Sequence, residues 1–277
     1  MSLYKPSELQ AFLKSHGMAA KKGLSQNFLI DGNIVHKIVQ TAAIAPQDRV
    51  LEIGPGPGAL TQALLETGAN VTAIEMDQGF ATALKRLQTE DGRLQVITGD
   101  VLTFPMKDFL ATLGKKCKVV ANLPYHITTP ILTQLLPLHE GIDTFTIMVQ
   151  KEFADRMTAQ VGTADYSSFT LFLQFYSSVI SSFKVSPNCF FPRPKVHSAV
   201  VHCQLHPPPL RVGVEAFFQL TRAAFGKRRK MLRSSLKEHY DAEKVEKALG
   251  QMGRLPTTRP EELALIDFIS LYEILSA

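Results

Sequence analysis

The chain reads as an α/β protein, a doubly wound and mostly parallel sheet followed by a small helical domain. Three observations predict this. The apolar run Arg49-Val50-Leu51-Glu52-Ile53 opens into a glycine-rich loop and then into helical spacing, the first unit of such a sheet. Further short apolar runs follow, several of them ending in an acid or an amide. Past the stiff segment His206-Pro207-Pro208-Pro209 the pattern turns helical up to Leu271. That proline run is the predicted boundary, giving a domain over 1–205, with an N-terminal lid over about 1–32, and a helical domain over 206–277.

At 277 residues the chain can bury one large core and carry a small appendage. With 45% hydrophobic and 20% charged residues it has the balance of a soluble globular protein. It has no apolar run of about 18 residues, so no membrane span is expected. The N-terminal stretch, with Lys5, Glu8 and Lys14 spread through it, lacks a signal peptide's apolar core. Cys117, Cys189 and Cys203 are odd in number and widely spaced. They match neither a disulfide framework nor a zinc site and suit a reducing cytoplasm. His197, His202 and His206 show no metal-ligand spacing, and no metal is expected. The net charge of +5 points to an anionic partner without identifying it.

In chain order, Ser7 to about Gly17 predicts a short helix. The loop Lys21-Lys22-Gly23-Leu24-Ser25-Gln26-Asn27-Phe28-Leu29 follows, either a solvated linker or a lid that offers Gln26 and Asn27 to a ligand and Lys21 and Lys22 to phosphates. Asp31 is placed to cap a helix with Ile34, Ile38 and Val39 on one face. Strand 49–53 then ends in Gly54-Pro55-Gly56-Pro57-Gly58. Its glycines run G-x-G-x-G, not the dinucleotide pattern G-x-G-x-x-G, and no Lys-Ser/Thr pair follows as in a phosphate loop. With Glu52 beside it, the loop suits a ligand bearing positive charge.

Strand 70–74 ends on Glu75, where a carboxylate can accept both hydroxyls of a ribose. Strand 94–97 leads to Asp100, placed to accept a hydrogen bond from the amino group of a bound adenine. Each acid alone could be a helix cap or a solvated loop residue. Three successive strand ends with this chemistry predict a nucleoside-bearing cofactor.

A fourth strand, Val119-Val120-Ala121, runs into Asn122-Leu123-Pro124-Tyr125. The Asn122 side-chain oxygen and the Leu123 or Pro124 carbonyl can both accept hydrogen bonds, and the Tyr125 ring is a stacking face. An exocyclic aromatic amine is a poor nucleophile because its lone pair is delocalised. Two acceptors on its hydrogens favour a pyramidal nitrogen and aim that lone pair. The competing reading is an ordinary strand-ending turn. Thr128 or Thr129 can then cap a helix with Pro130 early in it and Ile131, Leu132 and Leu135 inward. Strand 144–149 and the polar helix 150–156 follow, and the aromatics of 166–175 are mostly core.

Phe190-Phe191-Pro192-Arg193-Pro194-Lys195-Val196-His197-Ser198 is an extended, proline-held loop that could set Phe190 against the other face of a base. A strand over 198–205 ends the first domain. Between Arg222 and Lys237 lie seven basic residues (Arg222, Lys227, Arg228, Arg229, Lys230, Arg233 and Lys237) and no acid, a candidate RNA-backbone surface.

These strings, in this order, resemble class I S-adenosylmethionine-dependent methyltransferases. Ser25-Gln26-Asn27-Phe28-Leu29, Asn122 through Leu132 and Ala224 to Lys230 are similar to the ribosomal RNA adenine dimethyltransferase family, most closely its small-subunit members. The resemblance covers nearly the whole chain. It implies transfer of methyl groups from S-adenosylmethionine to the N6 amine of two adjacent adenosines in the 3′-terminal hairpin loop of small-subunit (16S) rRNA, within the immature small ribosomal subunit. It also implies a role in subunit biogenesis. The cofactor would be held by Gln26, Asn27, Leu29, Gly54, Gly56, Gly58, Glu75, Asp100 and Asn122. The target base would meet Asn122, Leu123, Pro124, Tyr125 and Phe190, and RNA phosphates would meet Lys21, Lys22, Arg222, Lys227, Arg228, Arg229, Lys230 and Arg233. Alternatives are the macrolide-resistance type acting on large-subunit RNA, a non-catalytic assembly factor on the same fold, and a dehydrogenase, which the glycine spacing disfavours. A monomer is the default.

Overall fold

The computed structural model describes residues 3–20, 26–210, 213–227 and 230–277. By contacts the chain divides into two compact units, residues 1–154 with 178–206, and residues 155–177 with 207–277. The second unit thus takes in 155–177 besides the tail beyond the proline run.

The first unit opens with α1 (Pro6–Ser15), the two-residue strand β1 (Phe28–Leu29) and α2 (Gly32–Thr41). Asp31 caps α2 as its sequence position predicts, accepting from the Asn33 and Ile34 amides, a contact worth about 1 kcal/mol. The buried face of α2 is Val35, Ile38 and Val39, so the stripe is turned by one residue from the expected one and Ile34 lies at its margin. Strands and helices then alternate: β2 (Arg49–Ile53), α3 (Ala59–Glu66), β3 (Asn70–Glu75), α4 (Gln78–Leu84), β4 (Leu94–Thr98), α5 (Met106–Thr112), β5 (Cys117–Asn122), α6 (Thr128–Leu135) and β6 (Ile142–Gln150). After α7 (Lys151–Met157) and α8 (Ser168–Tyr176) come β7 (Ser177–Val185), the short β8 (Phe190–Phe191) and β9 (Ser198–Leu205).

Seven strands form one sheet in the order β4-β3-β2-β5-β6-β9-β7. β2 pairs in parallel with β3 on one side and β5 on the other, while β9 runs antiparallel to β6. The strand order therefore reverses between β2 and β5, and a doubly wound sheet opens its ligand crevice at the carboxyl ends there. The residues of β5 between Cys117 and Asn122 are almost all buried, as expected of a central strand covered on both faces. Strand β7 has no counterpart in the sequence reading, because its exposed Ser-Val-Ile-Ser-Ser stretch carries no alternating apolar signal.

Thr128 lies inside α6 rather than capping it, and its hydroxyl donates to the Pro124 carbonyl at 3.3 Å. Ile131, Leu132 and Leu135 are inward as predicted. A second, two-stranded sheet pairs β1 with β8, Phe28 opposite Phe191 and Leu29 opposite Phe190.

In the second unit, α8 is closed at its start by a capping box of Ser167 and Thr170. It packs against α9 (Val214–Phe225) through aromatics, with the Phe175 and Phe217 rings stacked at 5.3 Å and Phe218 edge-on to Phe175 at 4.9 Å. Helices α10 (Leu232–Ser235), α11 (Ala242–Gln251) and α12 (Leu265–Ser276) complete it. The Tyr166 hydroxyl donates to the Leu263 carbonyl, tying the inserted segment to the C-terminal helices.

Candidate active site

The crevice at the switch point is a cavity of about 290 Å³, close to the lower size of small-molecule sites. Its wall is drawn from the ends of β2, β3, β4 and β5 and from the segment entering β1. Gln26, Asn27, Leu29, Gly54, Gly56, Glu75, Asp100, Asn122, Leu123, Pro124 and Tyr125, all singled out in the sequence, line it together.

The glycine loop shows why those residues are needed. Gly54 and Gly56 have φ of +66 and +55, a conformation that L side chains rarely adopt. A Cβ at Gly54 would meet nothing within 4 Å, so the space beside the loop is open to a ligand. Gly58 does a different job from the one expected. It is not on the cavity wall; its φ is +94, and a Cβ there would lie 2.6 Å from a Leu84 methyl. It lets α3 start beside α4 rather than touching a cofactor.

Two carboxylates define the electrostatics. Glu75 is 6% exposed, and its oxygens accept from the Gly56 amide at 2.9 Å and the Asp77 amide at 2.8 Å. Burial raises its pKa above the usual range, the Asp77, Gly56 and Met76 amides draw it back, and the Asp77 charge raises it again. A carboxylate has about four lone-pair sites, so these amides leave it acceptor capacity for a ribose hydroxyl. Glu52 is 1% exposed, and its Oε2 has no hydrogen-bond partner among the described residues. Burial pushes its carboxyl up to about 8. The Thr61 hydroxyl, buried beside it but short of hydrogen-bond geometry, tempers the rise, and the Glu75 charge adds to it. Such an orphaned acid on a cavity wall is satisfied by a proton or by a ligand's positive charge.

Asp100 is half-buried, and its Oδ1 accepts from the Leu102 amide at 2.9 Å, which engages one of its two oxygens. Several other lining residues gave no sequence signal of their own. Met76 is 61% exposed directly after Glu75, and Val101 and Leu102 add apolar wall beyond Asp100. A large apolar side chain at a strand end is unremarkable until the cavity beside it is seen.

At the end of β5 the hydrogen bonds of Asn122 and of the Leu123 and Pro124 carbonyls are defined. Asn122 Nδ2 donates to the Asn27 carbonyl at 3.0 Å, which orients the amide and leaves Oδ1 as the acceptor. The Pro124 carbonyl is already taken twice, by the Ile127 amide at 3.1 Å and the Thr128 hydroxyl. The Leu123 carbonyl accepts from no donor among the described residues, and the Leu123 amide donates to Met148 O at 3.1 Å and holds the strand end in register. The half-buried Tyr125 places its hydroxyl 2.7 Å from Ser198 Oγ. Burial raises its pKa above 10, with Ser198 drawing it back, so the phenol is neutral.

Phe190 is not where the stacking reading needs it. At 3% exposure it lies in a core cluster with Leu29, Ile38 and Val200 and is not on the cavity wall. The cause is the pairing of β8 with β1, which faces Phe190 and Phe191 in opposite directions. Of the expected RNA contacts, Lys21, Lys22, Arg228 and Arg229 lie outside the described residues. Lys227 is paired with Glu238 at 3.0 Å and Arg233 with Glu246, whereas Arg222 and Lys230 are exposed. Among the described residues no group of three or more His, Cys, Asp or Glu could hold a metal ion, and no helix is long and apolar enough to cross a membrane.

A glycine loop, acids at the next two strand ends and an Asn-Leu-Pro-Tyr turn on this strand order define a Rossmann-like methyltransferase. The model of the family described as ribosomal RNA adenine dimethylase matches residues 17–276, so the chain belongs to that family and is an rRNA methyltransferase. It is 52% identical over 98% of its length to the ribosomal RNA small subunit methyltransferase A of Protochlamydia amoebophila, covering 97% of that relative. It is 48% identical over 97% of its length to the protein of the same name from Chlamydia trachomatis, covering 96% of it. Among solved structures it is similar to a dimethyladenosine transferase from Plasmodium falciparum, with a TM-score of 0.76 and 28% identity over 88% of this chain and 95% of that one. It is also similar to the 23S rRNA methyltransferase ErmE, with a TM-score of 0.68 and 28% identity over 91% of this chain and all of that one.

Proposed function

We propose that the chain methylates the N6 amine of two adjacent adenosines in the 3′-terminal hairpin loop of small-subunit rRNA, to N6,N6-dimethyladenosine, with S-adenosylmethionine as donor. The setting is maturation of the small subunit in the cytoplasm. The observation that carries this reading is the orientation of Asn122 by the Asn27 carbonyl, which leaves its Oδ1 beside the Leu123 carbonyl as a pair of acceptors with no donor among the described residues.

The site fits the donor. Glu52 offers an unpartnered buried oxygen to a cation, Gly54 leaves open space beside the loop, and Glu75 has acceptor capacity left for a ribose. Asp100 would accept from the adenine amine, and Gln26, Asn27 and Leu29 would close over the ligand. S-adenosylmethionine supplies an electrophilic methyl group at a sulfonium.

The chain's own residues do the rest by position. The target base leaves its stack, which costs least in a hairpin loop. The Tyr125 ring gives it a face worth about 1–3 kcal/mol. Asn122 Oδ1 and Leu123 O take the two amine hydrogens and hold the nitrogen lone pair in line, a geometry that can supply roughly 7–11 kcal/mol of the barrier reduction. The neutral Tyr125 phenol is not a base, and the proton leaves to water once the nitrogen has become cationic. An amide at 122 brings no fixed charge, which suits a monomethylated second substrate. Phe190 supports β1 from behind, and Arg222 and Lys230 contribute to the RNA-backbone surface.

The small-subunit reading is favoured over the large-subunit one by identities of 48–52% to small-subunit relatives against 28% to ErmE. The test is incubation with methyl-labelled donor and either unmodified ribosomal subunit, followed by mass spectrometry of the nucleosides. Dimethyladenosine in small-subunit RNA is expected; label confined to the large subunit, or no label, refutes the assignment.

A further inference from the structure

We infer that Ser198 is a positioning residue for the reaction, holding the Tyr125 ring in the place where the target base stacks on it. The inference rests on the proposed stacking role of Tyr125 and adds to it a residue 73 positions away in the chain.

Ser198 is the first residue of β9 and is 0% exposed. Its backbone is rigidly placed, since Gln150 lies opposite it at the end of β6 and the neighbouring His197 carbonyl accepts from the Lys151 amide at 2.9 Å. Its hydroxyl meets the Tyr125 hydroxyl at 2.7 Å, the usual distance of a well-formed bond between hydroxyls. Tyr125 itself stands on a single 3-10 turn, Tyr125–Ile127, between the end of β5 and α6. The turn is pinned on either side of its first residue, by the Leu123 amide on Met148 O and by Ile127 and Thr128 on Pro124 O. Those bonds fix the backbone but leave the ring free to rotate about two side-chain torsions. Because Oη lies on the ring's own axis, the bond from the far tip to an immobile buried hydroxyl fixes the swing of the ring about Cα–Cβ, while the preference of a phenol O–H for the ring plane restrains its turn about that axis. With Phe190 in the core and not on the wall, the Tyr125 ring is the stacking surface that the proposed function uses, and its placement matters correspondingly more.

Three full-length variants test the inference: Ser198→Ala, Tyr125→Phe and the double variant, with Tyr125→Ala for reference. The readouts are kcat and KM on unmodified small subunits, donor affinity by calorimetry and the thermal midpoint. Ser198→Ala should lower kcat roughly three- to tenfold, because the positioning that one ordinary hydrogen bond can enforce is lost from the ring that holds the reacting base, with donor affinity unchanged. Tyr125→Phe removes the same bond without touching the buried serine and should match it, and the double variant should be no worse than either. Multiplying defects in the double variant, or wild-type kcat in Ser198→Ala alongside a dead Tyr125→Ala, would overturn the positioning role and leave the stacking reading standing. Wild-type kcat in both Ser198→Ala and Tyr125→Ala would overturn the two together.

Discussion

Replacing Glu52 with glutamine should remove a pH dependence of stability that the fold imposes on itself. Glu52 is fully buried, one carboxyl oxygen lacks a partner, and Glu75 shares its surroundings, so its pKa stands at about 8 against an ordinary 4.5. In the unfolded chain the group ionises near 4.5; in the folded chain it keeps its proton up to about 8. Its contribution to stability is therefore complete below pH 4.5 and is lost as the pH rises through about 8. Each pH unit in that window is worth about 1.4 kcal/mol, so the full span amounts to something on the order of 5 kcal/mol. Glutamine has the same shape, cannot ionise and stands in for the protonated acid. Urea unfolding of the donor-free protein from pH 5 to pH 8 measures the effect. The two proteins should be similar near pH 5, and Glu52→Gln should become progressively the more stable toward pH 8. Titrations common to both, Glu75 among them, largely cancel in the difference. Parallel stability curves over that range would show that Glu52 is ionised in the fold and that the orphaned oxygen has a partner in solution.

Asn122→Ala should cost methyl transfer at least 100-fold, as loss of an oriented polar group at a reacting centre does, while donor affinity measured by calorimetry changes far less. Loss of donor binding in a folded variant would contradict the division of the site. Gly58→Ala should destabilise the fold by about 1–3 kcal/mol through its backbone conformation alone, and by more through contact with Leu84, seen as a lowered urea midpoint. Gly54→Ala, where the new methyl meets open space, should weaken donor binding by more than it lowers the midpoint. Neutralising Arg222 and Lys230 together should weaken RNA binding and flatten its dependence on salt, and an unchanged salt slope would remove them from the RNA footprint.

The local chemistry of the site was legible along the chain. A strand, a glycine loop and a helix form one contiguous unit, and Glu75, Asp100 and Asn122 announce themselves because each sits where an apolar run stops. Period, glycine spacing and terminal residue are properties of neighbours in sequence, so the doubly wound fold and the strand-end acids follow from sequence alone. What the chain could not disclose depends on partners distant in sequence. Pairing of Leu29 with Phe190 sent an expected stacking ring into the core. Hydrogen bonds from Ile127 and Thr128 already occupy the Pro124 carbonyl, and contact with Leu84 recast Gly58 as a packing residue. Segment 155–177 joined the C-terminal helices because its aromatics find Phe217 and Phe218 there. Burial, desolvation and long-range hydrogen bonds exist only once the chain has closed on itself, and for that reason the raised pKa of Glu52 and the tether between Tyr125 and Ser198 belong to the tertiary structure.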